Sequence, residues 1–426
     1  MGRELDRRRR HWVGRVAALA LLGVCMMPLA AHADEGDEHD EHDEHDEHDE
    51  GAEVAKAWSR PARPFAPVLE GVVHGDLVMA ANSNLRSAGG WQMTTSSVAD
   101  VDDDRSLLCV GRGDFAAACA DNSSSARLSI PRGARVVHAR LYVETSLSAS
   151  AGPLRVRLAG PNRAFDYTVL GADTVDAPKL YEATAAVSSK AVLRQAVWDV
   201  TEHVAANGPG SYTVADIVSE RAGAFLPYAS WAIVAAYELD PAVDVEALAA
   251  GDRHRFARRA VSWHDGFVLP SDETHDVAAA GFTVAPGTAV FAKSFHVVAG
   301  ARRDEADNLL FNGRPLGNNL TPGDTRPPPG VTINAHRSCN STTDVFNETI
   351  CVLGSPVAAK NPGRAGYVAS SDGTTRSSGS AVDIDVIRIP DRYLVPGSTT
   401  PTLSVSAGDD PLALGVLALS LDLAPS

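Results

Sequence analysis

The chain has little of what builds helical bundles, membrane spans or familiar active sites. From Val68 to Ser426 no amphipathic pattern runs longer than about three helical turns, which excludes a helical fold. No apolar run there approaches the roughly 20 uncharged residues that a membrane helix needs. Aromatic residues make up only 6% of the chain, few for a broad stacking surface. A Gly-x-Ser-x-Gly elbow, a His-Glu-x-x-His pair and a phosphate loop are all missing, so no common hydrolase, metalloprotease or nucleotide-binding chemistry is announced. His264-Asp265 and His275-Asp276 set imidazole beside carboxylate, but neighbours on a strand point to opposite faces. Gly111-Arg112-Gly113-Asp114-Phe115-Ala116 has a loose dinucleotide spacing without the strand-to-helix context that such a site requires. Its Arg-Gly-Asp tripeptide reads as coincidence. The expectation is a protein that is not an enzyme.

Bases are missing where charge is densest. The net charge is −16; within residues 1–33 six arginines stand against Glu4 and Asp6, which leaves about −20 on the remainder. Residues 34–53 hold thirteen acids and no base, so about −7 is spread over the 373 residues that follow. A mildly acidic folded part makes nucleic acid a poor partner.

What is present begins with an export signal. Arg7 to Arg10 and Arg15 form a basic start, Val16 to Leu29 an apolar run, and Ala31-His32-Ala33 a small-x-small site that predicts cleavage between Ala33 and Asp34. Arg9-Arg10 leaves both the general secretory and the twin-arginine routes open. The expected localisation is secreted or cell-surface, with no transmembrane segment in the mature chain. Residues 34–67 follow as a disordered acidic tract and linker: dense like charge and no core-forming residues cannot offset the entropy of ordering. Within it His39, His42, His45 and His48 recur every third residue. Extended, they stand about 9 Å apart, too far to share one ion, so weak buffering of zinc, nickel or copper is the most the tract offers.

Four cysteines remain after cleavage: Cys109, Cys119, Cys339 and Cys351. An exported chain favours disulfides, and three pairings are open; loop closure favours Cys109 with Cys119 and Cys339 with Cys351. Asp100, Asp102, Asp103 and Asp104 crowd carboxylates into five residues, a candidate calcium loop at a sheet edge, although Arg105 and Gly111 break the EF-hand pattern.

The remainder alternates with a period of two. Leu154 to Leu158, Phe165 to Val169 and Val382 to Ile389 alternate apolar with polar residues, and in the last the charged positions Asp383, Asp385 and Arg388 are read as a wet face. Trp231 to Tyr237 and Leu412 to Leu419 are continuously apolar and should lie centrally. Turn clusters such as Asn207-Gly208-Pro209-Gly210, Pro286-Gly287, Asn312-Gly313 and Asp372-Gly373 separate such runs. Asp199 is placed to cap one helical turn that buries Val200 and Val204. These signs predict an all-β fold of two antiparallel, jelly-roll-like sandwiches at 68–239 and 255–426, joined by a connector at 240–254. The basic stretch Arg253 to Arg259 reads as exposed. Trp91, Trp198, Trp231 and Trp263 are candidate sugar-stacking rings, with Trp198 and Trp231 inside expected core strands.

Several segments, in order, resemble a family of secreted bacterial surface proteins with a long β-rich N-terminal region, often followed by repeated domains of unknown function. They are Asp100 to Asp104, Asn122 to Ala126, Gly133 to Val136 with Ala139 to Tyr142, and Tyr212 to Ala215. Tyr228 to Ala232, Asp265-Gly266-Phe267, Phe346 to Ile350 and Val382 to Val386 continue the match. The resemblance implies an exported surface or matrix protein without established chemistry, and it brings no catalytic residues. The family's repeats, sorting signal and anchor are not seen before Ser426. The sequence thus predicts a structural or adhesive protein whose partners are surface or matrix components, copies of itself or glycans. The alternatives are a carbohydrate-binding protein and a binder of divalent cations, Ca2+ or Zn2+.

Overall fold

The computed structural model describes residues 63–87, 98–100, 123–220, 228–240, 258–269, 275–278, 284, 292–300, 307–317, 345–346, 350–353, 355–356, 368–369, 376–377, 382–406 and 412–423, apart from positions 132, 149, 162–166, 173, 176 and 187–190. The first strands are β1 (Arg63–Ser83), β2 (Leu85–Ser87), β3 (Val98–Asp100), β4 (Ser123–Leu128), β5 (Arg135–Ser148), β6 (Val156–Ala159), β7 (Tyr167–Leu170) and β8 (Lys179–Ala186). Next come β9 (Ala191–Asp199), the helix α1 (Thr201–Asn207), β10 (Gly210–Ala215), β11 (Ala229–Glu238), β12 (Arg258–Val268), β13 (His275–Ala278) and β14 (Ala292–Ala299). The remaining strands are β15 (Asn308–Phe311), β16 (Arg314–Pro315), β17 (Ile350–Val352), β18 (Ser355–Pro356), β19 (Val368–Ala369), β20 (Arg376–Ser377), β21 (Val382–Ile389), β22 (Thr402–Ser406) and β23 (Ala413–Asp422). The fold is all-β and sandwich-like, with open sheets.

One sheet of eleven strands has the order β18-β17-β21-β14-β23-β12-β1-β11-β5-β9-β8, and two four-stranded sheets have the orders β4-β10-β6-β7 and β13-β22-β15-β16. The apolar runs expected to be central are so: β11 lies between β1 and β5, and β23 between β14 and β12. The Asn312-Gly313 turn joins β15 to β16 with both residues at positive φ, 50° and 73°, the twist that a two-residue hairpin demands. Val200 and Val204 of the short helical passage are fully buried, and Asp199 Oδ1 accepts the Thr201 N–H at 3.0 Å.

β1 organises the molecule. Its first part pairs with β12 as far as His74 opposite Arg258, and from Gly75 opposite Glu238 it pairs with β11. The two segments expected as separate sandwiches therefore share one sheet, inside a single compact unit that holds all the described residues. A side chain at Gly75 would put its Cβ 1.8 Å from the Tyr237 carbonyl oxygen, so only glycine lets the chain pass between partners here. β1 also starts at Arg63, inside the expected linker. Pro64 and Pro67 mislead because proline donates no ladder hydrogen bond, yet both sit at irregularities in the β1–β12 register, where none is required.

At β1 the large sheet turns back on itself, so β12, β14, β21 and β23 face β5, β8, β9 and β11. Tyr142 of β5 lies against Trp263 of β12, with ring centroids 6.4 Å apart. The inner core between these halves holds Leu77, Tyr142, Val197, Tyr228, Trp263, Phe267, Phe295 and Ile384. Each half covers its outer face with a four-stranded sheet. Trp198, Tyr212, Val214 and Trp231 fill the first outer core. Phe311, Phe346, Ile387 and Leu417 fill the second. The result is four stacked layers, and the two middle ones are covered on both faces over most of their extent, with Val72 of β1 and Leu180 of β8 still exposed.

Candidate functional site

Among the described residues, three buried groups of titratable side chains stand out, each set in place by strand register. The first lies where β1 changes partners. Asp76 Oδ2 accepts from Lys293 Nζ at 2.7 Å and lies 2.9 Å from Arg259 NH1, while Asp76 Oδ1 accepts from Ser420 Oγ at 2.6 Å. Arg259 also donates to Asp422 Oδ1 at 2.5 Å. Burial pushes the Asp76 carboxyl up, but Lys293 and Arg259 outweigh it and hold it below its ordinary value. Arg259 is therefore no part of an exposed connector, as its basic neighbourhood suggested. It is buried because a second strand carries its counter-charge. This group ties β1, β12, β14 and β23 together.

The second group lies in the inner core. Arg140 NH1 and the Tyr142 hydroxyl donate to Asp265 Oδ2 at 2.5 and 2.9 Å. The Tyr181 hydroxyl donates to Gln195 Oε1 at 3.0 Å, which turns the Gln195 amide to donate from Nε2 to Glu144 Oε1 at 2.7 Å. Glu144 Oε2 and the Tyr228 hydroxyl are buried without a hydrogen-bond partner. Desolvation, opposed only by the Gln195 hydrogen bond, pushes the Glu144 carboxyl up to about 8.

The third group is in the second outer core. The antiparallel β14–β21 register sets His296 opposite Asp385, and the two-residue period of β21 puts Asp383 on the same face. His296 Nε2 lies 2.7 Å from Asp383 Oδ1 and 3.8 Å from Asp385 Oδ2. All three side chains are fully buried. The Cys351 N–H donates to Asp385 Oδ1 at 2.5 Å, placed by the parallel pairing of β17 with β21. Phe346 packs edge-on against the imidazole at 5.0 Å, and His296 Nδ1 has no hydrogen-bond partner. Desolvation pushes His296 down to about 4, so its imidazole is neutral at pH 7. Among the described residues, this is the group of His, Cys, Asp or Glu side chains close enough to hold a metal ion.

The sequence pointed elsewhere. Ala33, Asp34, His39, His42, His45, His48, Asp102, Asp103, Asp104, Cys109, Cys119, Cys339 and Trp91 lie outside the described residues. Asp100 ends β3, paired with Leu85 of β2. Cys351 is fully buried in β17. Asp383 and Asp385, expected on a wet face, are buried, because a second sheet covers that face. Trp263 is enclosed like Trp198 and Trp231, so none of these three rings is available to stack on a sugar. No protein-family model matches the chain, and no curated protein matches it in sequence.

Proposed function

We propose that this is an exported, non-enzymatic structural or adhesive protein of the bacterial cell surface or extracellular matrix. The observation that carries this reading is the use of the interior: four stacked layers fill their three cores with large side chains and ion pairs. Rims and edges are left as the surfaces for contact. β1 supports the same role, since its 21 residues are hydrogen-bonded to both halves of the large sheet and couple them mechanically. A second support comes from two terminal strands, β7 of one four-stranded sheet and β8 of the large sheet, where Val169 and Leu180 are 43% and 41% exposed. Apolar side chains on terminal strands favour strand-to-strand association with a neighbour.

Fractionation of a producing culture, with an antibody against the mature protein, tests the reading. The expected result is protein in the cell-surface or matrix fraction, and saturable rebinding of purified protein to cells, matrix or immobilised copies of itself. Protein found only free in the medium, and binding none of these, would refute it.

A further inference from the structure

We infer that His296, Asp383 and Asp385 bind one divalent transition-metal ion of the zinc class inside the second outer core. The expected metal positions were the histidine tract and the loop around Asp102; this site shares no residue with either. Its donors sit on two adjacent strands within one sheet, so backbone register, not a loop, presents them to each other.

The distances fit an ion. A tetrahedral centre with bonds of about 2.0–2.2 Å needs its donor atoms about 3.3–3.6 Å apart. The imidazole nitrogen stands 2.7 Å from one carboxylate and 3.8 Å from the other, on either side of that range. Side-chain adjustments of less than about 1 Å seat the ion without moving a strand. The donor chemistry selects its class. One imidazole and two carboxylates suit zinc and its first-row neighbours; calcium takes six to eight oxygens, and copper(I) prefers sulfur.

The surroundings are those of a supported site. The Cys351 amide holds Asp385 Oδ1 from behind, while Oδ2 is the atom that faces the imidazole. Phe346 fixes the ring from its edge. Such second-shell restraint is what orients metal ligands. A dication bound between the two carboxylates would offset the cost of burying them side by side.

The test uses the full mature chain with His39, His42, His45 and His48 all changed to serine, which silences the tract. After chelator treatment and reloading with ZnCl2, elemental analysis following gel filtration should give one zinc per chain. X-ray absorption should show a nitrogen and oxygen shell with imidazole scattering and no sulfur. Asp385→Asn and His296→Ala, checked for folding by circular dichroism, should lower zinc affinity at least tenfold. No retained zinc in the four-serine protein overturns the inference, as does a shell without imidazole, or unchanged affinity in a folded Asp385→Asn. The absorption experiment decides the matter even where a variant fails to fold.

Discussion

Glu144→Gln should turn a pH-sensitive protein into a less sensitive and more stable one. Glu144 is fully buried on the inner face of β5, its Oε1 receives one hydrogen bond, from Gln195, and its carboxyl is pushed from 4.5 to about 8. A carboxyl whose value is raised in the folded state favours folding only while protonated. Its stabilising effect is complete below about pH 4.5 and is lost progressively as pH rises towards 8. At 1.36 kcal/mol per pH unit, the loss reaches about 3 kcal/mol at pH 7 and about 5 kcal/mol above pH 8. Glutamine keeps the shape and the Gln195 hydrogen bond and never ionises. Urea unfolding at intervals from pH 5 to pH 9 would measure the difference, followed by the fluorescence of Trp198, Trp231 and Trp263, all of which unfolding exposes. The variant should exceed the parent by a margin that widens with pH and levels off above 8. Parallel curves for the two proteins would refute the reasoning.

Three further outcomes follow from the same contacts. Asp76→Asn leaves Lys293 and Arg259 facing a neutral amide in a dry core, and should cost about 3–5 kcal/mol in urea unfolding at pH 7. Because Asp76 is held below its ordinary value of 3.8, its contribution is present above that pH and lost as pH falls further. The acid-induced loss of stability should thus be shallower in the variant. Gly415→Ala would place a methyl group 2.1 Å from Gln195 Nε2 and 2.3 Å from Glu144 Oε1, parting that hydrogen bond and costing about 1–3 kcal/mol by the same assay. Leu180→Lys, at an exposed edge position, should leave stability within about 0.5 kcal/mol, and under the proposed strand-to-strand association it should lower the sedimenting oligomer fraction in analytical ultracentrifugation.

The strand content of the chain was legible because side-chain alternation reports pleating directly. Val382 to Ile389 and the apolar runs of β11 and β23 were found where the pattern put strands, while the alternation at Leu154 to Leu158 begins two residues ahead of β6. The helical turn after Trp198 was legible in part: Val200 and Val204 are buried as expected, but the N-cap position is Val200, and Asp199 accepts the Thr201 amide from one residue further out. Less legible was β1. Its prolines argue for a linker, and only the partner strand reveals that they fall at breaks in the hydrogen-bond ladder.

The polar interior was hidden for a deeper reason. A period of two says that the two faces of a strand differ, but not that either is wet. In a two-layer sandwich the polar face is the outer one, and Val382-Asp383-Ile384-Asp385 was read in that light. Here the strand lies in a middle layer. Val382, Ile384 and Val386 face the inner core, while Asp383 and Asp385 share the opposite face with Ile387 and Ile389, beneath another sheet. Glu144 on β5 and Asp265 on β12 follow the same rule. Charges on a twice-covered strand must find partners on neighbouring strands, and those partners are remote in sequence: His296 for Asp383, Arg140 for Asp265, Gln195 for Glu144. Polar residues repeating every second position in an otherwise central strand are therefore the signal that was available. They mark a middle layer, and with it the places where this molecule holds its ion pairs, its raised carboxyl and its imidazole–carboxylate cluster.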